Sequence, residues 1–380
     1  MGMVRVLVVG AGLAGLACAL EATTLGHHVV VLERSSRIGG RGTTQNLDEF
    51  PMGYGPHLFL KKGPFHDLVR KLSRVKLAAT PLRLHRTELI GQGIIRPSED
   101  IKTALTNKRI LRDANHEHPL VEGCQFLASW GGQANELRYT GLQKSQLMVS
   151  NEGWAGMVGR LAAALDEVGV FIECGPEVQR IEQGKVFLTD GRDIETDVIV
   201  LACGPSAAKK IAGTMDEQRS KDLFSPLKRI SASFIEVGLD SKSLSGKHAV
   251  IDTQNKYIVL DYRAIQPRLG REGSHLSALA IGGLESDPGE TRYATANERL
   301  DALKSFLDKR ASGWQDHVIQ QSEQSKITLH DAGTSRIPQL AMADVGVLFA
   351  GAWVEGEHIL ADGAVNSGRL AGRTIAAAKR

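Results

Sequence analysis

The sequence predicts an α/β protein in which a parallel, helix-flanked sheet is interleaved with an α+β domain that carries an antiparallel sheet. The chain opens with a short apolar strand at residues 4–9, a helix from Leu13 and a second strand at 29–32. Residues 151–213 repeat this alternation of helix and strand. Residues 229–282 alternate between apolar and polar side chains, which is typical of antiparallel strands.

Length and composition limit the function classes. A chain of 380 residues is long enough for two domains with sizeable cores, and 42% apolar with 23% charged residues is an ordinary globular composition. The net charge of +3 is too small and too dispersed to favour nucleic-acid binding. No secretory pattern opens the chain and no 18-residue apolar run follows, so we expect a cytoplasmic protein that does not span a membrane.

The cysteines and histidines give no sign of a disulfide framework or a metal site. Four cysteines stand far apart without a C-x-x-C spacing, so we expect reduced and mostly buried thiols at Cys18, Cys124, Cys174 and Cys203. His116 and His118 flank an acidic residue, but no further ligand cluster accompanies them. We interpret that segment as a solvated loop and expect no metal.

A glycine-rich turn connects the first strand to the first helix, and its sequence is Gly10-Ala-Gly12-Leu13-Ala14-Gly15. In this pattern the first glycine makes the tight turn, the second admits a pyrophosphate to the backbone, and the third lets helix and strand pack closely. The helix N-terminus adds unpaired N–H groups and a partial positive charge. The turn therefore predicts a dinucleotide site of the Rossmann type.

Glu33 ends the second strand, 18 residues after Gly15. An acidic side chain at this position accepts hydrogen bonds from an adenosine ribose, and its charge repels the 2′-phosphate of NADP. These features are common to every cofactor that contains ADP. They do not distinguish NAD from FAD.

A second cluster, Arg37-Ile-Gly39-Gly40-Arg41, follows within a few residues and supplies another glycine turn with two guanidinium groups. Together with Gly10–Gly15, Glu33 and Arg34, it resembles the FAD-binding opening of the flavin amine oxidase superfamily. That group includes monoamine oxidases, protoporphyrinogen oxidases and phytoene desaturase-like dehydrogenases, and the motifs here are most similar to the last. The resemblance implies FAD and a Rossmann-type, glutathione-reductase-like domain.

The resemblance also implies how the chain is divided. We expect a discontinuous FAD-binding domain at 1–60, 148–213 and 340–380, and a substrate domain at 61–147 and 214–339. It assigns cofactor contacts to five further stretches besides the two glycine clusters and Glu33-Arg34. The expected cofactor-binding residues are Gly10, Gly12, Leu13, Ala14, Gly15, Glu33, Arg34, Gly39, Gly40, Arg41, Gly55, Pro56, His57, Val178, Cys203, Gly204, Gly351, Ala352, Asp362, Gly363 and Ala364.

Two histidines are candidates for catalysis. His57, in Gly55-Pro56-His57, matches a stretch that lies near the flavin ring in desaturase-like members, although a histidine that caps a turn is the alternative. His358 lies in the loop before the closing motif, Asp362-Gly363-Ala364, where the family places a helix N-terminus against the flavin. Relatives often carry an acid where this chain has Ala352, so one hydrogen bond to FAD is expected from elsewhere.

The resemblance favours an FAD-dependent oxidoreductase that transfers a hydride from an apolar, isoprenoid-like substrate to flavin N5. Oxygen, a quinone or NAD(P) would reoxidise the flavin, and a lipid substrate would imply peripheral contact with the inner face of a membrane. The oligomeric state is left open. The alternatives are an amine oxidase, which usually has a tyrosine before the closing motif, an isomerase like UDP-galactopyranose mutase, and a binding protein like the GDP-dissociation inhibitors.

Overall fold

The computed structural model describes residues 2–44, 49–72, 76–95, 147–284, 292–331 and 335–378. The helices expected from Ser98 and at 120–130, together with His116, His118 and Cys124, lie outside the described residues.

The described residues form strands and helices in the order that the periodicity predicts. The strands are β1 (Arg5–Val9), β2 (His28–Glu33), β3 (Phe59–Leu60), β4 (Ala79–Pro81), β5 (Thr87–Leu89), β6 (Gly93–Ile94), β7 (Leu147–Ser150), β8 (Phe171–Cys174), β9 (Val178–Glu182), β10 (Lys185–Leu188), β11 (Asp193–Glu195), β12 (Val198–Leu201), β13 (Ile230–Leu239), β14 (Ala249–Asp252), β15 (Tyr257–Asp261), β16 (Ser274–Leu284), β17 (Val318–His330) and β18 (Val347–Phe349). The α-helices are α1 (Leu13–Thr24), α2 (Pro64–Lys71), α3 (Gly153–Glu167), α4 (Pro205–Ala212), α5 (Glu217–Phe224), α6 (Tyr262–Ile265), α7 (Ala296–Arg310) and α8 (Leu360–Ala378).

A five-stranded parallel sheet forms the first layer, in the order β18-β12-β1-β2-β8. Its strands β1 and β12 consist of β-branched and aliphatic residues, and nearly all of them are buried, because α1, α3 and α8 cover one face while the three-stranded sheet β11-β10-β9 and α4 cover the other. The predicted Rossmann-type α/β fold is therefore confirmed. The glycine turn after β1 lies at the carboxyl edge of this sheet, where such folds bind ligands.

A seven-stranded sheet forms the second layer, in the order β17-β13-β16-β15-β14-β5-β6. Strand β13 lies between β17 and β16, pairs antiparallel with both, and is buried along its whole length. The predicted antiparallel sheet is confirmed at β13, β15 and β16. Strand β17 was not predicted, since its sequence VIQQSEQSKITLH is largely polar and half-exposed.

The strands of the two large sheets lie within the segments predicted for the two domains, but two helices pack across that division. Helix α2 contributes Phe65 and Val69 to the core beneath the parallel sheet. Phe224 of α5 packs against Phe349 and Trp353 of that same layer. Both helices lie in segments predicted for the substrate domain, so the domain boundaries stay a prediction.

Three cysteines can be placed. Cys18 is buried and Cys203 half-buried, as expected, and burial raises the pKa of each thiol to about 12. Cys174 is exposed, and it lies on β8, which is an edge strand of the parallel sheet. In the part of the chain that the structure describes, no helix is long and apolar enough to cross a membrane.

Helix α8 packs directly on α1, and small residues make this approach close. A Cβ at Gly368 would lie 2.1 Å from the carbonyl oxygen of Ala14, and one at Gly372 would lie 2.9 Å from that of Cys18. Backbone cannot yield as a flexible side chain can, so only glycine fits these positions. The contact fixes the end of the chain against the first helix of the nucleotide turn.

Replacing Gly368 by alanine should destabilise the chain by about 2 kcal/mol, because the added methyl group would force the two helices apart. Gly159→Ala is the matched control, since a Cβ there meets nothing within 4 Å and alanine favours a helix interior by about 1 kcal/mol. Urea unfolding of both variants measures the difference. Equal stability of Gly368→Ala and the wild type would contradict the close packing.

Candidate functional site

The two glycine clusters predicted to hold one cofactor lie against each other. Gly12 and Gly39 form a parallel bridge, and the Gly39 N–H donates to the carbonyl oxygen of Ala11 at 2.7 Å. Gly39 and Gly40 have φ values of 101° and 56°, which favour glycine. A Cβ at Gly40 would come within 3.3 Å of the Gly12 Cα. The clusters therefore form one continuous backbone surface.

The first cluster fits the three roles that its glycines were predicted to have. A Cβ at Gly15 would lie 1.9 Å from the carbonyl oxygen of Gly10, so helix and turn touch through backbone alone. A Cβ at Gly12 would meet no atom within 4 Å. No side chain in the described part of the chain caps the N-terminus of α1, which begins at Leu13 and Ala14. Open space before uncapped N–H groups is what a pyrophosphate needs.

Glu33 closes the adenosine end of this surface. Its carboxylate accepts hydrogen bonds from the Ala11 N–H and the Ser35 N–H, each at 2.9 Å, and so ties the end of β2 to the glycine turn. Arg34 points outward and pairs with Glu177 at 3.9 Å. Val178 follows Glu177 in the sequence, and its side chain is buried at the start of β9.

Cys203 and Gly204 lie beside the first turn, as expected for residues that pass the cofactor. A Cβ at Gly10 would approach the backbone nitrogen of Cys203 at 3.0 Å. The Cys203 carbonyl oxygen accepts a hydrogen bond from Trp353 Nε1 at 3.2 Å. A Cβ at Gly204 would meet no atom within 4 Å, so space is also open on this side.

Arg41 has a protein partner in addition to its predicted role. Its guanidinium pairs with Asp331 at 2.8 Å, and that carboxylate is only 9% exposed. Asp331 directly follows β17 of the antiparallel sheet. The second glycine cluster is thereby connected to the end of the other sheet.

The closing motif lies where α8 begins, next to α2. The Asp362 carboxylate accepts a hydrogen bond from the Phe65 N–H at 3.0 Å, and a Cβ at Gly63 would lie 2.7 Å from it. The Asp362 side chain therefore caps α2 in this structure. Gly351 and Ala352 are buried beside α8. Gly363 and Ala364 lie at the start of that helix.

A small cleft that opens to solvent begins where the second glycine cluster ends. Aromatic and aliphatic side chains form much of its wall, with a few polar groups among them. The described lining residues are Thr43, Thr44, Pro51, Gly53, His57, Val149, Ser150, Gly153, Trp154, Glu236, Tyr262 and Leu269.

His57 is the predicted catalytic residue that the structure brings to this cleft. Its Nδ1 lies 2.6 Å from the carbonyl oxygen of Gly55, and its ring packs 4.9 Å from that of Trp154. Burial lowers the pKa of His57, and the charge of Glu236 offsets part of this. His57 is therefore a neutral imidazole at pH 7. His358 is not among the described lining residues, and its carbonyl oxygen accepts a hydrogen bond from Arg336.

The sequence did not identify Glu236, which lies in the cleft wall. Its side chain is 1% exposed, and it accepts hydrogen bonds from His275 Nε2 at 2.8 Å and the Gly53 N–H at 3.0 Å. A glutamate within the apolar run ISASFIEVGL was the available signal, because a charge in a fully buried strand is costly unless it is paired. Trp154 and Tyr262 also line the cleft, and neither was among the predicted site residues.

The space at Gly12 makes a direct test of cofactor binding. Gly12→Ala should leave the stability of the apoprotein within about 0.5 kcal/mol, because the methyl group meets no protein atom and φ is −74°. The same methyl group would fill the space in front of the helix, so we expect FAD affinity to fall at least about tenfold, or about 1.4 kcal/mol. Titration of apoprotein with FAD, followed by flavin fluorescence, measures this, with Gly159→Ala as control. Unchanged FAD affinity would contradict the assignment of this surface.

Comparison with known proteins agrees with this geometry. An NAD(P)-binding Rossmann-like domain model matches residues 8–72. A protein of Mycobacterium tuberculosis named as a flavin-containing monoamine oxidase is 44% identical over 70 residues, which is 18% of this chain and 15% of that relative. The match thus spans about a seventh of the length of this curated relative.

Two solved structures cover nearly the whole chain and show the same fold. Cyclohexylamine oxidase from Brevibacterium oxydans superposes with a TM-score of 0.65 at 18% identity, covering 99% of each chain. Reduced UDP-galactopyranose mutase superposes with a TM-score of 0.70 at 12% identity, covering 98% of this chain and 96% of that one.

The family model described as flavin containing amine oxidoreductase matches residues 124–376, about two thirds of the chain. This match confirms the predicted superfamily and, with the fit of the glycine surface, the predicted FAD cofactor. The closer similarity to phytoene desaturase-like members stays a prediction. The chain belongs to the flavin-containing amine oxidoreductase family.

Proposed function

We propose that this protein is an FAD-dependent oxidoreductase that dehydrogenates a largely apolar substrate bound in the cleft at His57. The observation that carries the proposal is a neutral imidazole placed against aromatic and aliphatic walls, directly after the glycine surface. Thr43 and Thr44, which line the cleft, follow Arg41 by two and three residues. A cofactor bound along the glycine surface would therefore extend directly into the cleft.

FAD, when bound, supplies a two-electron acceptor for the hydride. The residues proposed to hold it are those of the glycine surface, with Glu33 at the ribose and the backbone at Cys203, Gly204 and the start of α8. The function of the remaining cleft residues follows from their own chemistry.

Dehydrogenation of a carbon–carbon bond removes a hydride from one carbon and a proton from its neighbour. Because the Gly55 carbonyl can only accept a hydrogen bond, we place the proton of neutral His57 on Nδ1, which leaves Nε2 to accept a proton; the Arg41 backbone also hydrogen-bonds this ring. We assign His57 Nε2 as the acceptor of the substrate proton. Trp154, Val149 and Leu269 would exclude water and bind the apolar body of the substrate.

Amine oxidation is the second candidate, and Glu236 is the observation that favours it. A carboxylate in the cleft wall, with Tyr262 and Trp154 nearby, would attract an ammonium group through its charge and through aromatic faces. The relative from Mycobacterium tuberculosis and the Brevibacterium structure both have amine oxidase names. The tyrosine that amine oxidases usually carry before the closing motif is absent from this sequence, but Tyr262 and Trp154 supply aromatic groups from other elements.

The mutase-like isomerase rests on likeness of fold at 12% identity, and no described residue of the cleft favours it. The GDP-dissociation-inhibitor-like alternative does not explain why the glycine surface is open. The electron acceptor, the oligomeric state and peripheral membrane contact stay predictions.

Anaerobic mixing of the FAD-loaded protein with three substrate classes distinguishes the candidates. Apolar alkenes and isoprenoids should bleach the visible flavin band, amines should do so only if Glu236 serves as a cation site, and nucleotide sugars should not. Rapid-mixing absorption measures each rate. If no class reduced the flavin while dithionite did, the oxidoreductase proposal would lose its support.

His57→Gln should slow flavin reduction by the best substrate at least about tenfold, because the proton acceptor is removed. Since burial lowers the His57 pKa below about 6.5, the wild-type rate should persist at neutral pH and fall only in more acid solution. His57→Gln should lose this acid limb. Exposed His85 supplies the control His85→Gln. An unchanged pH profile in His57→Gln would assign the limb to another group.

A further inference from the structure

Glu236 and His275 form a buried pair that the dehydrogenation mechanism above does not use. They come from neighbouring strands, β13 and β16, and their side chains are 1% and 0% exposed. Removing a carboxylate and an imidazole from water is costly, and apolar residues of similar size fill strand cores without that cost. The pair therefore calls for a role beyond packing.

The carboxylate of Glu236 holds the turn that carries His57, which we call the His57 turn (residues 53–57). Oε1 accepts a hydrogen bond from the Gly53 N–H at 3.0 Å, and Oε2 accepts one from the Gly55 N–H at 3.4 Å. The carbonyl oxygen of Gly55 in turn accepts the hydrogen bond from His57 Nδ1. Gly55 is thus held by Glu236 through its N–H and bound to the catalytic ring through its carbonyl.

Two further contacts fasten the same turn and the carboxylate. The Tyr262 hydroxyl accepts a hydrogen bond from the His57 N–H at 2.5 Å. Asp261 accepts hydrogen bonds from the His275 N–H and from the second and third N–H groups of α6, so it ties β16 to the helix that carries Tyr262. The His275 ring lies 5.4 Å from that of Phe50 and 5.0 Å from that of Tyr262, which leaves its Nε2 directed at Glu236.

We propose that Glu236, oriented by His275, is a positioning residue that fixes the tautomer and orientation of His57 in the cleft. Holding Gly55 in place keeps its carbonyl on Nδ1, so that Nε2 stays the proton acceptor. This inference rests on the proposed role of His57.

The charged and titratable groups around the imidazole come from four elements. Glu236 on β13 faces it, as do Tyr262 on α6 and, behind Glu236, His275 on β16. Arg41, from the second glycine cluster, contributes a charge that opposes that of Glu236. Replacing Glu236 by a neutral residue would remove a charge that raises the His57 pKa, so we expect that pKa to fall.

The test is Glu236→Gln in the full, FAD-loaded chain, read by NMR of ring-labelled histidine. His57→Gln assigns the His57 signals. We expect the His57 pKa to move downward and the preference for the Nδ1–H tautomer to weaken. Flavin reduction should slow at least about tenfold with little change in KM, since the substrate still fits and only the acceptor is misplaced. Glu88→Gln is the matched control, because Glu88 lies on β5 of the same sheet and pairs with Lys247, away from the cleft.

A His57 pKa and tautomer unchanged in Glu236→Gln would overturn the inference, even if the substrate screen succeeded. Conversely, the NMR readout requires no turnover, so it stands if no substrate is found. Should Glu236→Gln fail to fold, His275→Phe keeps a ring between Phe50 and Tyr262 but removes the donor to Glu236. It should weaken the Nδ1–H preference, and an unchanged tautomer there would also contradict the inference.

Discussion

The buried carboxylate of Glu236 connects the two sheets of this molecule at the point where the cleft lies. It belongs to β13, an interior strand of the seven-stranded sheet, yet two of its hydrogen bonds go to the His57 turn, which follows the glycine clusters of the parallel sheet. The Arg41–Asp331 ion pair makes a second connection between the same two parts. The relative placement of cofactor surface and cleft depends on these polar contacts, because apolar packing alone does not specify direction.

Contacts between backbone atoms form the proposed cofactor surface beside the cleft. Gly12, Gly39 and Gly40 touch without side chains, and the approach of α8 to Ala14 brings the end of the chain to the same place. A surface built from N–H groups and glycine can meet a pyrophosphate closely, whereas side chains would occupy its space. The rigid part of the proposed site is thus made by the fold itself, and the chemical part by a few residues around His57.

Local sequence patterns predicted most of this fold. The features that were missed depend on contacts between residues distant in sequence. The glycine spacing after β1 and the β-branched runs of β1 and β12 predicted the parallel sheet, because each is encoded within one element. Strand β17 was missed because its half-exposed polar sequence has no apolar alternation to detect. Glu236 was missed since its meaning depends on Gly53 and His275, which are distant in sequence. Likewise, nothing local indicated that Asp362 caps α2.

The central claim is that one FAD runs from Glu33 over both glycine clusters to the cleft at His57. The most direct measurement is a crystal structure of the protein purified with FAD bound. The account predicts phosphate density at the Gly12 and Gly39–Gly40 backbone, with the flavin ring beside Trp154 and His57. A flavin ring on the far side of Trp154, with His57 out of contact, would contradict the account.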